Sequence, residues 1–244
     1  MPEGPTLKIV HEETAHFEGH KVLEATGNTK IDIDRTVGKK VISLKTWGKH
    51  FLISFDDFYI RVHFLMFGSY SVDETRKAKI RLGFRFSNGT LNFYASNIKL
   101  VEGKVADDYD FTSDVMNPKW SEPKARKKLL EIPHELICDT LLEQDIFAGV
   151  GNIIKTEVLY RARIHPESET GKIPSAKKKK MFEEVVGYPK EFLKYKKEGN
   201  RALNKHWQAY SQKTCERCDL PMHKKETGKK HRRSFFCTNC QIKY

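Results

Sequence analysis

The chain has no apolar run near the roughly 20 residues that a membrane-spanning helix needs, and its mean hydropathy is −0.61. Its N-terminus holds no signal-peptide core, because Lys8, His11, Glu12, Glu13 and His16 interrupt it. These two absences argue for a soluble intracellular protein, expected in the cytoplasm, or on the nucleoid if bacterial, with no membrane partner. No internal repeat is visible. Cysteine is scarce before residue 215: only Cys138 occurs there, in the apolar stretch Leu136-Ile137-Cys138, where it reads as a small buried hydrophobe. Acidic charge is in deficit, with 32 Asp and Glu against 44 Lys and Arg, giving a net charge of +12. That balance suits a polyanionic partner, nucleic acid first. The run Lys177 to Lys180 reads as a solvated face or helix end.

Across its 244 residues the chain is 39% hydrophobic, enough for a real core in one large or two modest domains. Four of the five cysteines lie in the last 30 residues. The pattern Cys215-x2-Cys218, 18 residues, Cys237-x2-Cys240 is the spacing of a four-thiolate zinc site. Each pair forms a knuckle that turns two sulfurs toward one metal. Two disulfides are the alternative, and a reducing compartment disfavours them.

The other end begins Met1-Pro2-Glu3-Gly4. Removal of Met1 leaves Pro2 as a terminal secondary amine. An α-amino group titrates near 7.7–8.0, roughly two units below lysine, and can be a free-base nucleophile at neutral pH. Attack on an aldehyde-level carbon gives a charged iminium, because the proline nitrogen has no second proton to lose. Such an iminium is an electron sink that favours elimination. The plainer reading is an ordinary Met-Pro start with a solvated Glu3.

Leu7, Val10, Thr14 and Phe17 recur with helical spacing between Pro5-Thr6 and Gly19. Residues 20 to about 106 read as β-structure. Apolar runs flank Thr46-Trp47-Gly48-Lys49, another covers Tyr59 to Met66, and Ile80, Leu82, Phe84 and Phe86 alternate with polar residues. Asn88-Gly89 is expected to be the two-residue turn of a hairpin leading into Leu91 and Phe93. Many strands with turn signals predict a sandwich or barrel. Beyond the acidic stretch Asp107 to Pro118 the pattern is helical. Ser121-Glu122-Pro123 opens one helix, Glu135 to Leu142 forms another, and residues 176–198 form a lysine-rich one. Gly149-Val150-Gly151-Asn152 precedes a helix expected over Ile153 to Arg163. Free N–H groups at such a helix start form a phosphate site, and Asn152 is the expected N-cap.

Taken in order, Met1-Pro2-Glu3-Gly4-Pro5, Gly48-Lys49-His50, Ala148-Gly149-Val150-Gly151-Asn152, Ile164-His165-Pro166 and Cys237-Thr238-Asn239-Cys240-Gln241 resemble the formamidopyrimidine-DNA glycosylase and endonuclease VIII family of base-excision repair enzymes. The resemblance spans nearly the whole chain. It implies an α+β fold in three parts: residues 1–117 as an N-terminal helix and β-sandwich, 118–212 as a helix–two-turn–helix domain, and 213–244 as a four-cysteine zinc finger. It implies a monomer acting on double-stranded DNA that contains oxidised bases or abasic sites. Pro2 would attack C1′, Glu3 would shuttle a proton to the sugar, and β,δ-elimination would cut the strand. Lys49 and Asn152 would hold phosphates beside the lesion, and Arg232 would grip the flanking backbone, with Arg233 as fallback if the hairpin is shifted. A flipped base leaves a hole in the stack. Met66, with Leu65 and Phe67 beside it, stands where the family carries its void-filling residues, although an apolar strand end is ordinarily core.

Gly4 matches the endonuclease VIII branch, and the short segment 166–214 leaves little room for a lid over oxidised guanine. Both features point to oxidised pyrimidines. Thr6 and Asp219 depart from the family pattern. An 8-oxoguanine or formamidopyrimidine enzyme and a non-catalytic damaged-DNA-binding homologue are the alternatives. A zinc-ribbon RNA or ribosomal factor would explain charge and cysteines but not the N-terminus.

Overall fold

The spacing of Leu7, Val10, Thr14 and Phe17 is that of one helical face, and all four are fully buried. They lie on α1 (Gly4–Thr14) and the 3₁₀ turn that follows it. The computed structural model describes residues 2–244, apart from the side chains of Asn200 and Arg201. Met1 lies outside the described residues, so its expected removal is not addressed by the fold. Two compact units divide the chain. One comprises Pro2 and residues 6–110; the other comprises residues 3–5 and 111–244.

The first unit is a six-stranded antiparallel sheet made of β1 (Glu24–Thr26), β2 (Ser43–Trp47), β3 (His50–Ser54), β4 (Phe58–Val72), β5 (Leu82–Phe86) and β6 (Gly89–Glu102). The spatial order is β1-β5-β6-β4-β3-β2. The two long central strands bend partway. Register between β4 and β6 breaks between Phe64 and Ser69, and Ala95 on β6 takes a positive φ of 45°. The bend folds the sheet over on itself. Phe51 of β3 and Phe93 of β6 are not on adjacent strands, yet their rings lie 5.9 Å apart. The expected sandwich is therefore built from one folded sheet, with α1 sealing the same core beside Leu44, Ile53, Leu82 and Phe84.

The hairpin signal at Asn88-Gly89 is one residue out of step. Phe86 pairs with Gly89, which makes Ser87 and Asn88 the turn. Gly89 opens the next strand at φ 144°, where an added Cβ would meet the Asp73 carboxylate at 2.3 Å. Its positive φ and the close approach of Asp73 together explain this glycine.

α2 (Val105–Asp108) ends the first unit, and the second carries α3 (Glu122–Glu131), α4 (Ile137–Thr140), α5 (Gln144–Phe147), α6 (Asn152–Ala162), α7 (Ser175–Lys197) and α8 (Asn200–Lys205). Ser121 caps α3 by accepting the Lys124 N–H at 3.4 Å, as its position before Glu-Pro predicts. The second helix expected over Glu135 to Leu142 is a single turn, α4. A finger of β7 (His223–Thr227) and β8 (Arg232–Phe236) closes the chain and falls in the same unit as the helices. The division lies after Asp110, not at Pro118. Residues 111–117 belong to the helical unit because Ala148 donates to Ser113 O and Val115 donates to Ala148 O. Ile137, Phe147, Ile154, Val158, Met181 and Val185 form its core. Among the described residues no helix is long and apolar enough to cross a membrane.

Candidate active site

The most distant motifs of the chain meet at the start of α6. Glu3 is buried, 1% exposed. Its Oε1 accepts the N–H of Ile153 at 2.8 Å and its Oε2 accepts that of Ile154 at 3.1 Å. These are N–H groups of the first helical turn, which has no intrahelical acceptor for them. A carboxylate also suits the positive end of the helix dipole. The anion at this helix start is thus a side chain of the chain itself, not a phosphate.

Two glycines create the room. An added Cβ on Gly151 would stand 2.3 Å from the Glu3 carboxyl carbon. Gly149 turns the chain at φ 97° and its carbonyl accepts the Gly4 N–H at 2.9 Å. Gln144 laces the turn from the side. Its Nε2 donates to Leu142 O and Val150 O, and its Oε1 accepts the Gly149 N–H at 3.1 Å. Pro2 precedes Glu3 directly and is half-buried.

Asn152 is the first residue of α6, and Gly151 holds the N-cap position. The expected cap role is therefore filled by the Glu3 carboxylate. The Asn152 amide instead donates to the carbonyl of Arg233 at 2.8 Å, which ties α6 to the finger. One turn on, the ammonium of Lys155 donates to Ser234 Oγ at 2.9 Å. The turn at the tip of the finger is fixed from α4. Asp139 accepts the N–H groups of Lys229 and Lys230 at 2.7 and 3.1 Å. Arg232 opens β8 opposite Thr227 and is half-buried, whereas Arg233 is exposed. Alternation places Arg232 on the same strand face as Ser234, toward α6.

The four cysteines converge. Their sulfurs lie within 4.8 Å of one another, with Cys215 to Cys240 at 3.8 Å and Cys218 to Cys237 at 3.6 Å. Four sulfurs bonded to one metal at about 2.3 Å in a tetrahedron stand roughly 3.8 Å apart. The spacing fits a metal ion, and a disulfide would need sulfurs about 2 Å apart. The Tyr160 hydroxyl lies 3.2 Å from Cys215 Sγ. Buried Gln241 accepts the Cys237 N–H and donates to Ile164 O, joining the knuckle to the end of α6.

The remaining candidates lie in the sheet unit. Lys49 occupies the two-residue turn between β2 and β3, after Gly48 at φ 54°. The His63 ring donates from Nδ1 to the Lys49 carbonyl at 3.2 Å, which steadies that turn. Burial, together with nearby Arg61, His63 and Lys49, pushes His50 down to about 3. Burial also lowers His63, so both rings are neutral near pH 7. Leu65, Met66 and Phe67 sit at the register break of β4 and are 50, 63 and 85% exposed. They are not core.

Sequence reasoning passed over Gln144, Asp139, Lys155 and Glu157. Glu157 is fully buried and accepts the N–H groups of Gln208, Ala209 and Tyr210. For Lys155 and Glu157 the available signal was charge interleaved with the apolar residues Ile153, Ile154, Val158 and Leu159.

The chain is similar to known proteins along most of its length. A model of the formamidopyrimidine-DNA glycosylase N-terminal domain matches residues 1–97, and one of the formamidopyrimidine-DNA glycosylase H2TH domain matches residues 112–202. Endonuclease 8-like 3 of Xenopus laevis is 26% identical over 90% of this chain and 38% of its own length. Endonuclease 8-like 2 of Mus musculus is 32% identical over 64% of this chain and 49% of its own. The chain thus spans less than half of either relative. Among solved structures, a viral DNA glycosylase superposes with TM-score 0.85 at 19% identity, covering 98% of this chain and all of that one. Lactococcus lactis formamidopyrimidine DNA glycosylase bound to DNA with an abasic site gives 0.85 at 24%, covering 99% and 100%.

Proposed function

Since the chain belongs to the formamidopyrimidine-DNA glycosylase and endonuclease VIII family, we propose that it excises oxidised bases from double-stranded DNA and cuts the strand at the resulting abasic site. The observation that carries this reading is the buried Glu3 carboxylate, clamped by two N–H groups of α6 immediately after Pro2. A merely solvated N-terminal glutamate would not need a glycine opposite it to fit.

With Met1 removed, the Pro2 nitrogen attacks C1′ and the base departs with the bonding electron pair. The product is an iminium that draws electrons from C2′, so loss of a C2′ proton expels the 3′ phosphate, and a second elimination expels the 5′ phosphate. Glu3 exchanges a proton with the sugar ring oxygen as the ring opens. Its two N–H donors hold the carboxyl in one orientation, which is how proximity lowers the barrier. Lys49, the second amide hydrogen of Asn152 and Arg232 contact phosphates, which supply affinity rather than sequence choice. Leu65, Met66 and Phe67, already exposed, fill the space of the flipped nucleotide. Cys215, Cys218, Cys237 and Cys240 hold one zinc ion, whose part is to fix the finger.

Oxidised pyrimidines are the proposed lesion class. Gly4 and the short segment 166–214 support it. The test is borohydride trapping on duplexes carrying thymine glycol or an abasic site, with protein that begins at Pro2. A covalent adduct on both is expected, and its absence overturns the enzyme reading. Glu3→Gln is expected to trap on the abasic site and to fail on thymine glycol. Faster cutting of 8-oxoguanine than of thymine glycol overturns the lesion class alone.

A further inference from the structure

Lys155 is the least expected side chain of the helical unit. It is 1% exposed, in the middle of α6, where an apolar side chain would pack without the cost of burying a charge. Its ammonium donates to Ser234 Oγ at 2.9 Å, and Ser234 in turn lies 2.7 Å from Thr227 Oγ1 across the finger. The charged groups that act on it come from three places: Glu3 at the chain start, Asp139 on α4, and Arg232 on β8, with the Cys138 thiol also close by on α4. Neither carboxylate depends on Lys155 for a partner. Glu3 accepts two N–H groups of α6, and Asp139 accepts two of the finger tip.

We propose that Lys155 is the positioning residue for Arg232: it pins β8 through Ser234 and, by repelling the guanidinium from the Glu3 and Asp139 carboxylates, keeps Arg232 turned to DNA phosphate. The geometry supports this in two steps. Asn152 and Lys155, one helical turn apart, hold consecutive residues of β8, the Arg233 carbonyl and the Ser234 hydroxyl. Two anchors at that spacing fix both the height and the rotation of the strand. Arg232 then shares the face of Ser234, and its charge acts on Lys155 together with those of Glu3 and Asp139. An arginine fork pairs readily with carboxylates. A like charge among these groups opposes that competing arrangement. Burial is the largest influence on Lys155 and, with Arg232, lowers it to about 8, while Cys138, Asp139 and Glu3 act the other way. The group therefore remains cationic at neutral pH.

This inference rests on the proposed DNA-directed function and has its own test. The probe is a duplex with a reduced abasic site, bound at several salt concentrations. Lys155→Met is expected to keep a melting temperature at or above that of the wild type. It is expected to bind about tenfold more weakly, with a salt slope shallower by about one, as for loss of one phosphate contact. The Lys155→Met, Arg232→Ala double variant is expected to bind like Arg232→Ala alone. Binding equal to wild type, or additive losses, overturns the proposal. If Lys155→Met does not fold, Ser234→Ala carries the same comparison. Failure of the wild-type protein to bind the probe overturns the functional reading instead. Hydrogen exchange of the free protein then still decides the positioning role: unchanged protection of the β8 amides in Lys155→Met overturns it, and lost protection supports it.

Discussion

Gly151 shows how much one missing methyl group decides. Its backbone, at φ −116°, is open to any residue, so conformational freedom is not the reason for glycine here. The reason is the Glu3 carboxyl carbon, 2.3 Å from where a Cβ would stand. Gly151→Ala therefore has to push the carboxylate off the two N–H groups of α6. Overpacking of this kind costs about 1–3 kcal/mol. Misplacing a positioned catalytic group by about 1 Å can cost on the order of 100-fold in rate. The expected outcome is a lowered melting temperature with base removal reduced about 100-fold, read on thymine glycol duplex. Normal turnover by Gly151→Ala would show that Glu3 need not be held. Residue types at this site were legible: a terminal proline, a carboxyl group beside it, and a glycine turn before a helix. Their meeting was not. Glu3 and Ile153 are 150 positions apart, and no local pattern encodes which anion a helix start will take. The turn read as a phosphate site with Asn152 as its plainer N-cap, and it is Glu3 that takes the cap role.

At the scale of elements, periodicity served where one face meets a core. The α1 face and the β5 alternation are buried as their spacing predicts. It failed where an element meets two environments. β4 runs from Phe58 to Val72 because it belongs to both halves of a folded sheet, and its break exposes Leu65, Met66 and Phe67. An apolar triplet looks the same in sequence whether it is core or displayed. The finger was legible from cysteine spacing alone, because metal geometry dictates that spacing. What the sequence left open is how the hairpin is anchored, through Asp139, Asn152, Lys155 and Gln241. With so many anchors, removing the metal should loosen the knuckles and leave the helices intact. Treatment with a strong chelator is expected to make four thiols reactive toward a thiol reagent while Cys138, 1% exposed, stays protected. Helical circular dichroism should change little. Four thiols already reactive before chelation would argue against a bound metal.

For the whole molecule, the buried titratable groups set how stability varies with pH. His50 is held at about 3, mainly by burial, well below its ordinary value. As pH falls below about 6.5 the unfolded chain takes up a proton that the folded chain refuses, so stability falls toward acid. Lys155, at about 8, acts in the same sense at higher pH. Between about 8 and the ordinary lysine value near 10.4, the unfolded chain holds a proton that the folded chain has released. Stability therefore rises through that window, by on the order of 3 kcal/mol for the full shift. Tyr59, Tyr70 and Tyr188 are raised above their ordinary value, chiefly by burial, and oppose this rise once unfolded tyrosines begin to ionise near pH 10. The interval below the tyrosines is thus about 8 to 9.5, where Cys138, raised by burial, opposes the rise and Lys178 and Lys196, lowered by burial, add to it. Urea midpoints measured across it should climb more steeply for the wild type than for Lys155→Met, with the variant the more stable at pH 7. A parallel course for the two proteins would mean that Lys155 is not the buried cation in this window. The comparison is made by difference because thiolate ligands also release protons on binding metal, and that contribution is common to both. The chain thus carries at neutral pH a buried charge that its packing does not need, a cost consistent with a lysine kept for the direction it imposes on Arg232.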